Sequence, residues 1–316
     1  EIAHSWMGNL VTTKNWEHFW LNEGWTVFIE RKILGRLHGE PARQFSSILG
    51  VQELQKDIDL FGADNPLTAL RPNLTGVDPD DAFSRVPYEK GYNLLYYLEQ
   101  LLGGPAVFEP YMKEHVRQFA GKSITTDEWK QLLYAHMREH HGDAKIQLLD
   151  SVDWDAWLHA PGMPPVRNAF DPTLANACTA LSTRWDEARH ADKLSFSADD
   201  LKDFSPSQKV VFLTQLMELP PFSASLLDAM EQAYAFTDVR NCEIRFRWQM
   251  LALKAAYAPI YPHVVQFLQE QGRMKYVRPL YRALNTVNAP LARETFLAQR
   301  SSYHPIAARL IEKDIL

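Results

Sequence analysis

Cysteine is almost missing from this chain: Cys178 and Cys242 are the only two in 316 residues. Both fall in stretches that read as amphipathic helix, which argues against a disulfide-stapled scaffold and leads us to expect a reducing, cytoplasmic setting. There is no surplus of positive charge either. A formal charge of -6 and a pI near 6 give no electrostatic reason to expect nucleic acid or an anionic membrane as partner. No apolar run approaches the ~20 residues that a membrane-spanning helix needs. No β-rich segment and no strict repeat is visible, so the expected fold is mainly α.

Apolar and aromatic residues are plentiful, at 46% and 12%, enough to fill the cores of two domains. Residues 1 to about 55 read as helix, turn, helix, interrupted at Asn22 and Gly24, with Val27, Phe28, Ile33 and Leu34 on one helical face. From Asp57 to Pro87 the density of Pro, Gly and Asp predicts a long irregular segment, of the kind that serves a functional site in a compact domain. Gly91 to Leu102 is apolar nearly all round and predicts a buried helix, stopped by Gly103-Gly104-Pro105. Phe108, Met112, Val116 and Phe119 mark the apolar stripe of the next helix. Thr125 with Glu128 forms a capping box that opens another. Pro161-Gly-Met-Pro-Pro165 through Asp171-Pro172 cannot continue a helix, so we expect a catalytic domain over 1–158, a proline-rich linker over 159–172 and a helical domain over 173–316. In that last part Ser205-Pro206 is a helix start. Short loops between its helices imply antiparallel neighbours in a solenoid-like stack of the armadillo or HEAT type.

The most specific chemical signal stands at the start. Glu1-Ile-Ala-His4 matches the last four positions of His-Glu-x-x-His, in which two histidines one turn apart share a helix face with a glutamate between them. The residue expected before Glu1 is the first zinc-binding histidine. The chain therefore reads as a fragment cut inside the motif, binding metal weakly and inactive alone. Eighteen residues after His4 comes Asn22-Glu23-Gly24. Catalytic zinc takes about three protein ligands and keeps a position open; His4 and Glu23 supply two. Glu1 lies close enough to take a proton from the attacking water without binding metal. A bare Glu-x-x-His pair is more often a surface carboxylate beside a packed imidazole, and it is the correctly spaced Glu23 that favours a site. His136, His140 and His141 invite a second metal, but histidines at a helix C-terminus complement its dipole without one.

Glu1-Ile-Ala-His4-Ser-Trp-Met-Gly-Asn-Leu-Val followed by Phe19-Trp-Leu-Asn-Glu23-Gly resembles the thermolysin-like (gluzincin) zinc aminopeptidases. Val86-Pro-Tyr88-Glu-Lys-Gly91, Val152-Asp-Trp-Asp-Ala-Trp157, Glu243-Ile-Arg-Phe-Arg-Trp248 and Gly272-Arg-Met-Lys275 narrow the resemblance to the leukotriene A4 hydrolase and aminopeptidase B group, over essentially the whole chain. The resemblance implies one zinc bound by His4 and Glu23, Glu1 as general base, and Tyr88 as donor to the oxyanion of the tetrahedral intermediate. It implies Asp80 shaping the substrate pocket and directing water in an epoxide reaction, and Arg273 with Lys275 holding a substrate carboxylate. Substrates would be short peptides, with a fatty-acid epoxide as a second. Phe83 departs from the group, which carries a tyrosine there. The group's upstream Gly-x-Met-Glu-Asn motif and β-rich domain are not in these residues. On the residues alone, Tyr88 would be a packing aromatic, Asp80 an N-cap or solvated turn, and Arg273 part of a basic face with Arg278 and Arg282. A reading of a different class remains beside the enzyme: a non-catalytic helical scaffold with a relic zinc core, which would have no need of stoichiometric zinc.

Overall fold

A computed structural model of the chain describes residues 1–191 and 193–316. Its contacts divide the chain into two compact units, Glu1–Thr173 and Leu174–Leu316. No described helix is long and apolar enough to cross a membrane, and both cysteines are free thiols.

The first unit departs from the sequence reading at its start. Ala3–Ser5 forms a single 3-10 turn instead of a helix. Its hydrogen bonds run His4 N–H to Glu1 O and Ser5 N–H to Ile2 O, each three residues back, as a 3-10 turn requires. Gly8, at φ +111°, then turns the chain into a strand, β1 (Val11–Thr13). This strand pairs in parallel with β2 (Lys122–Ile124). Neither strand was expected, since three residues are too few for alternation to show. Helices α1 (Trp20–His38) and α2 (Glu40–Phe61) follow, α2 running past Asp57, where the irregular segment was expected to begin. A π-helical turn, Val86–Lys90, leads without a break into α3 (Gly91–Leu101), which is buried as its all-round apolarity predicts. In α4 (Pro105–Phe119) the buried face is Phe108, Tyr111, His115 and Phe119, so Met112 and Val116 sit at the margin. The capping box at Thr125 and Glu128 is present at the head of α5 (Thr126–His141), and α6 (Asp143–Asp150) and α7 (Trp154–Leu158) close the unit.

Charged pairs buried between α1, α2 and α3 stitch this unit together. Arg43 and Lys32 meet Glu99 at 2.8 and 2.5 Å, and Arg31 meets Glu89 at 2.7 Å. Breaking one such pair leaves a bare buried charge, at a cost of about 3–5 kcal/mol. The strap expected as a linker belongs to this unit. Lys90, fully buried, donates to Thr68 O, Ala160 O and Gly162 O at 3.2, 2.8 and 2.8 Å, and burial pulls its ammonium down to about 8. Arg71 N–H to Leu158 O and Gly162 N–H to Thr68 Oγ1 complete the seam.

The second unit begins with α8 (Thr173–Glu187) and continues through α9 (Pro206–Glu218), α10 (Ala224–Tyr234), α11 (Cys242–Lys254), α12 (Tyr261–Glu270), α13 (Met274–Val287), α14 (Ala289–Gln299) and α15 (Pro305–Ile315). From α9 onward, alternate helices pack on one another (α9 on α11, α11 on α13, α13 on α15, α12 on α14), and sequence neighbours such as α13 and α14 also pack together. Contacts to both the next helix and the next but one are the geometry of a helical solenoid. Ser205 caps α9 with Pro206 at its first position, as expected.

Candidate active site

His4 and Glu23 come together although they lie on different elements. His4 Nε2 stands 3.4 Å from Glu23 Oε2. The other ring nitrogen is 3.0 Å from Met7 O, and a carbonyl can only accept, so Nδ1 carries the proton and Nε2 presents its lone pair. Anchoring of this kind is what orients a metal-ligating imidazole. Thr26, one turn along α1 from Glu23, donates to the same carbonyl at 3.1 Å and lies 3.2 Å from Nδ1. Glu23 is 7% exposed, and among the described residues His4 is the only polar partner of its carboxylate. Burial pushes its carboxyl above the ordinary range; His4 pulls against the rise only when its imidazole is charged, and Glu1 adds to it. A buried carboxylate facing an oriented imidazole lone pair is the donor set that suits zinc. Only two donors converge, however: no group of three or more His, Cys, Asp or Glu able to hold a metal occurs among the described residues. That statement also covers His136, His140 and His141, whose rings cluster at the end of α5.

Glu1 is exposed and near enough to Glu23 to act on it electrostatically. Tyr88 projects from the π-helical turn onto the edge of the unit's core. Its ring meets Phe19 and Phe83 edge-on at 6.2 and 6.4 Å. Burial, then the charge of Glu23, raises its phenol above the usual value, so at neutral pH it is a donor. The turn is brought this close by two glycines. A Cβ on Gly24 would stand 2.8 Å from the Gly91 backbone, so no larger residue fits beside Glu23 without moving the turn.

Asp80 is not the N-cap that its Asp-rich setting suggests. Asp78 takes that role, accepting from Asp80 N–H at 3.0 Å. Asp80 instead lines a cavity of about 250 Å³ with Trp16, Phe19, Leu74, Phe83 and Pro87 among its walls. Phe83 is 66% exposed at its rim.

In the second unit the basic set at Arg273, Arg278 and Arg282 separates. Arg278 and Arg282 both bind Asp314, at 2.6 and 2.7 Å. Arg273, at the N-terminus of α13, is exposed and makes no ion pair among the described residues. Lys275 is paired with Glu243. Burial tends to raise the Glu243 carboxyl, but Lys275, Tyr276 and Arg247 outweigh it and hold it down to about 2. The sequence reading missed Thr26 and Met7 O, which orient His4; the position of Thr26 one turn from Glu23 was the available hint.

Residues 1–157 match the peptidase family M1 domain, and residues 204–315 match the C-terminal domain of leukotriene A4 hydrolase. The chain belongs to family M1, in its leukotriene A4 hydrolase branch. Leukotriene A-4 hydrolase of Xenopus laevis is 50% identical over the whole chain, which covers 51% of that protein. Leucine aminopeptidase 2 of Saccharomyces cerevisiae is 42% identical, with 49% of it covered. The structure of native leukotriene A4 hydrolase from Saccharomyces cerevisiae superposes at a TM-score of 0.93 with 40% identity, covering 99% of this chain and 52% of that one. A yeast enzyme of the same name in complex with bestatin matches at 0.86 and 41%. The chain thus spans about half the length of its family M1 relatives.

Proposed function

We propose that residues 1–316 carry the catalytic groups and the helical domain of a zinc aminopeptidase that removes N-terminal residues from short peptides and accepts a fatty-acid epoxide as a second substrate. The observation that carries this reading is the pairing of His4, its Nδ1 held against Met7 O, with the buried carboxylate of Glu23, which has no other polar partner among the described residues. These two would hold one zinc ion, with a third ligand from outside the described residues. When bound, zinc supplies Lewis acidity toward a carbonyl oxygen and lowers the pKa of water.

The chain's own groups do the rest. Glu1, whose carboxylate is exposed, holds the proton removed from the attacking water. Tyr88 donates its O–H to the oxygen on which charge develops. Asp80 faces the apolar cavity, where it would direct water onto an epoxide carbon. The names of the relatives and the bestatin complex support peptide cleavage. A cytoplasmic location agrees with the two free thiols. The full-length protein is expected to contain stoichiometric zinc, and a chelator should abolish aminoacyl-anilide turnover while zinc restores it. Absence of zinc would favour the scaffold reading.

Arg273 is proposed to bind the substrate carboxylate. Its guanidinium is free of protein partners among the described residues, whereas Arg278, Arg282 and Lys275 are all engaged. Arg273→Ala should therefore slow cleavage of a free tripeptide by ~100-fold, the scale of a lost charge-assisted pair, and affect the C-terminally amidated tripeptide much less. Lys275→Ala should be milder. Normal cleavage of both peptides by the Arg273 variant would reduce this residue to surface charge.

A further inference from the structure

We infer that the buried Arg31–Glu89 ion pair sets the position of Tyr88 relative to Glu23, so that Arg31 and Glu89 are positioning residues for the proposed hydrolysis. The inference rests on the reading of Tyr88 as the donor to the reacting carbonyl.

Tyr88 needs such a device because its own side chain supplies no directional contact. The phenol makes no hydrogen bond to a described residue, and the rings of Phe19 and Phe83 meet it in T-shaped, apolar contacts. Aromatic edge contacts let a ring slide by a fraction of an ångström at little cost. A donor to a developing oxyanion tolerates little misplacement. The placing must come from the backbone of the π-helical turn, and π turns are rare because their hydrogen bonds are poorer than those of an α-helix.

Glu89 is the next residue in that turn. Its two carboxylate oxygens accept from the two terminal nitrogens of Arg31, at 2.7 and 2.9 Å. A bidentate fork of this kind fixes direction as well as distance. Arg31 in turn belongs to α1, two helical turns after Glu23. It is itself immobilised, with Nε donating to Ser46 Oγ at 3.1 Å and the guanidinium lying 4.2 Å from the centre of the Tyr92 ring. Gly50 leaves the space: a Cβ there would overlap both the carboxylate and the guanidinium. The pair thus joins the helix that bears Glu23 to the turn that bears Tyr88. Lys90 serves a different seam, since its three carbonyl partners lie on the 66–68 turn and the 160–162 strap.

Apolar residues of equal volume commonly serve a core as well as a buried ion pair does; what the Arg31–Glu89 fork adds beyond stability is direction.

The test is a double-mutant cycle in the full-length zinc enzyme, with kcat, KM and bound zinc measured for Glu89→Gln and Glu89→Asp, each alone and combined with Tyr88→Phe. Glu89→Asp keeps the charge and guards against a variant that fails to fold. For Glu89→Gln we expect kcat to fall roughly 10- to 100-fold, the range for a small misplacement of a catalytic group. KM should stay within about twofold, zinc should stay bound, and Glu89→Asp should recover part of the loss. In the Tyr88→Phe background the Glu89 substitutions should change kcat by less than about twofold, because a residue acting through Tyr88 has nothing left to position. Equal losses in both backgrounds, or loss of zinc in step with activity, would overturn the inference and leave Tyr88 its role. A Tyr88→Phe enzyme with unchanged kcat would overturn the reading of Tyr88 and the inference with it.

Discussion

Replacing Glu1 by Gln in the full-length enzyme is expected to leave zinc bound and to slow peptide hydrolysis by ~100- to 10,000-fold, the range for loss of a general base. The amide keeps the size and shape of the carboxylate and removes its ability to take a proton. Metal retention follows from the site's electrostatics. The negative charge of Glu1 adds to the rise of the Glu23 carboxyl beyond what burial imposes, so removing it favours the ionised, metal-binding form of Glu23. Metal analysis of the variant beside an aminoacyl-anilide assay checks both halves. Turnover within a few-fold of the unsubstituted enzyme would remove Glu1 from the mechanism.

Tyr88→Phe should lower peptidase kcat by ~100-fold or more with little change in KM, because an oxyanion donor acts in the transition state and not on the ground state. The substitution removes one oxygen that makes no hydrogen bond to a described residue and leaves the ring's packing against Phe19, Phe83 and the core in place, so folding should be unaffected. Since burial and the Glu23 charge keep the phenol protonated well into the alkaline range, the loss should be much the same across neutral pH. Opening of an epoxide passes through no tetrahedral acyl intermediate, so that activity should survive in the variant. Equal loss of both activities would point to a misfolded enzyme instead.

Local chemistry was legible wherever it was written in adjacent residues. The capping box at Thr125 and Glu128, the Ser205-Pro206 helix start and the all-round apolar helix after Gly91 depend on contacts within a few positions, and each stands where its residues predict. His4 and Glu23 were found because their spacing around Asn22-Glu23-Gly24 is itself a pattern. What crosses from one element to another was not legible. The pairing of β1 with β2 joins residues 11–13 to 122–124, and strands of three residues carry no period to reveal it. Arg273, Arg278 and Arg282 look alike in sequence, and only Asp314, brought up by α15, takes two of them and leaves the third exposed. Asp78 and Asp80 differ by which one reaches a backbone N–H and which one faces a cavity. Residue types and spacing determined the candidate donor pair of His4 and Glu23 and the positions of most of the helices. Tertiary packing alone decided which imidazole nitrogen faces Met7 O, which cation lacks an ion pair among the described residues and which carboxylate grips Arg31 beside Tyr88, because each of these depends on a partner dozens of residues away or on a backbone carbonyl that no side chain encodes.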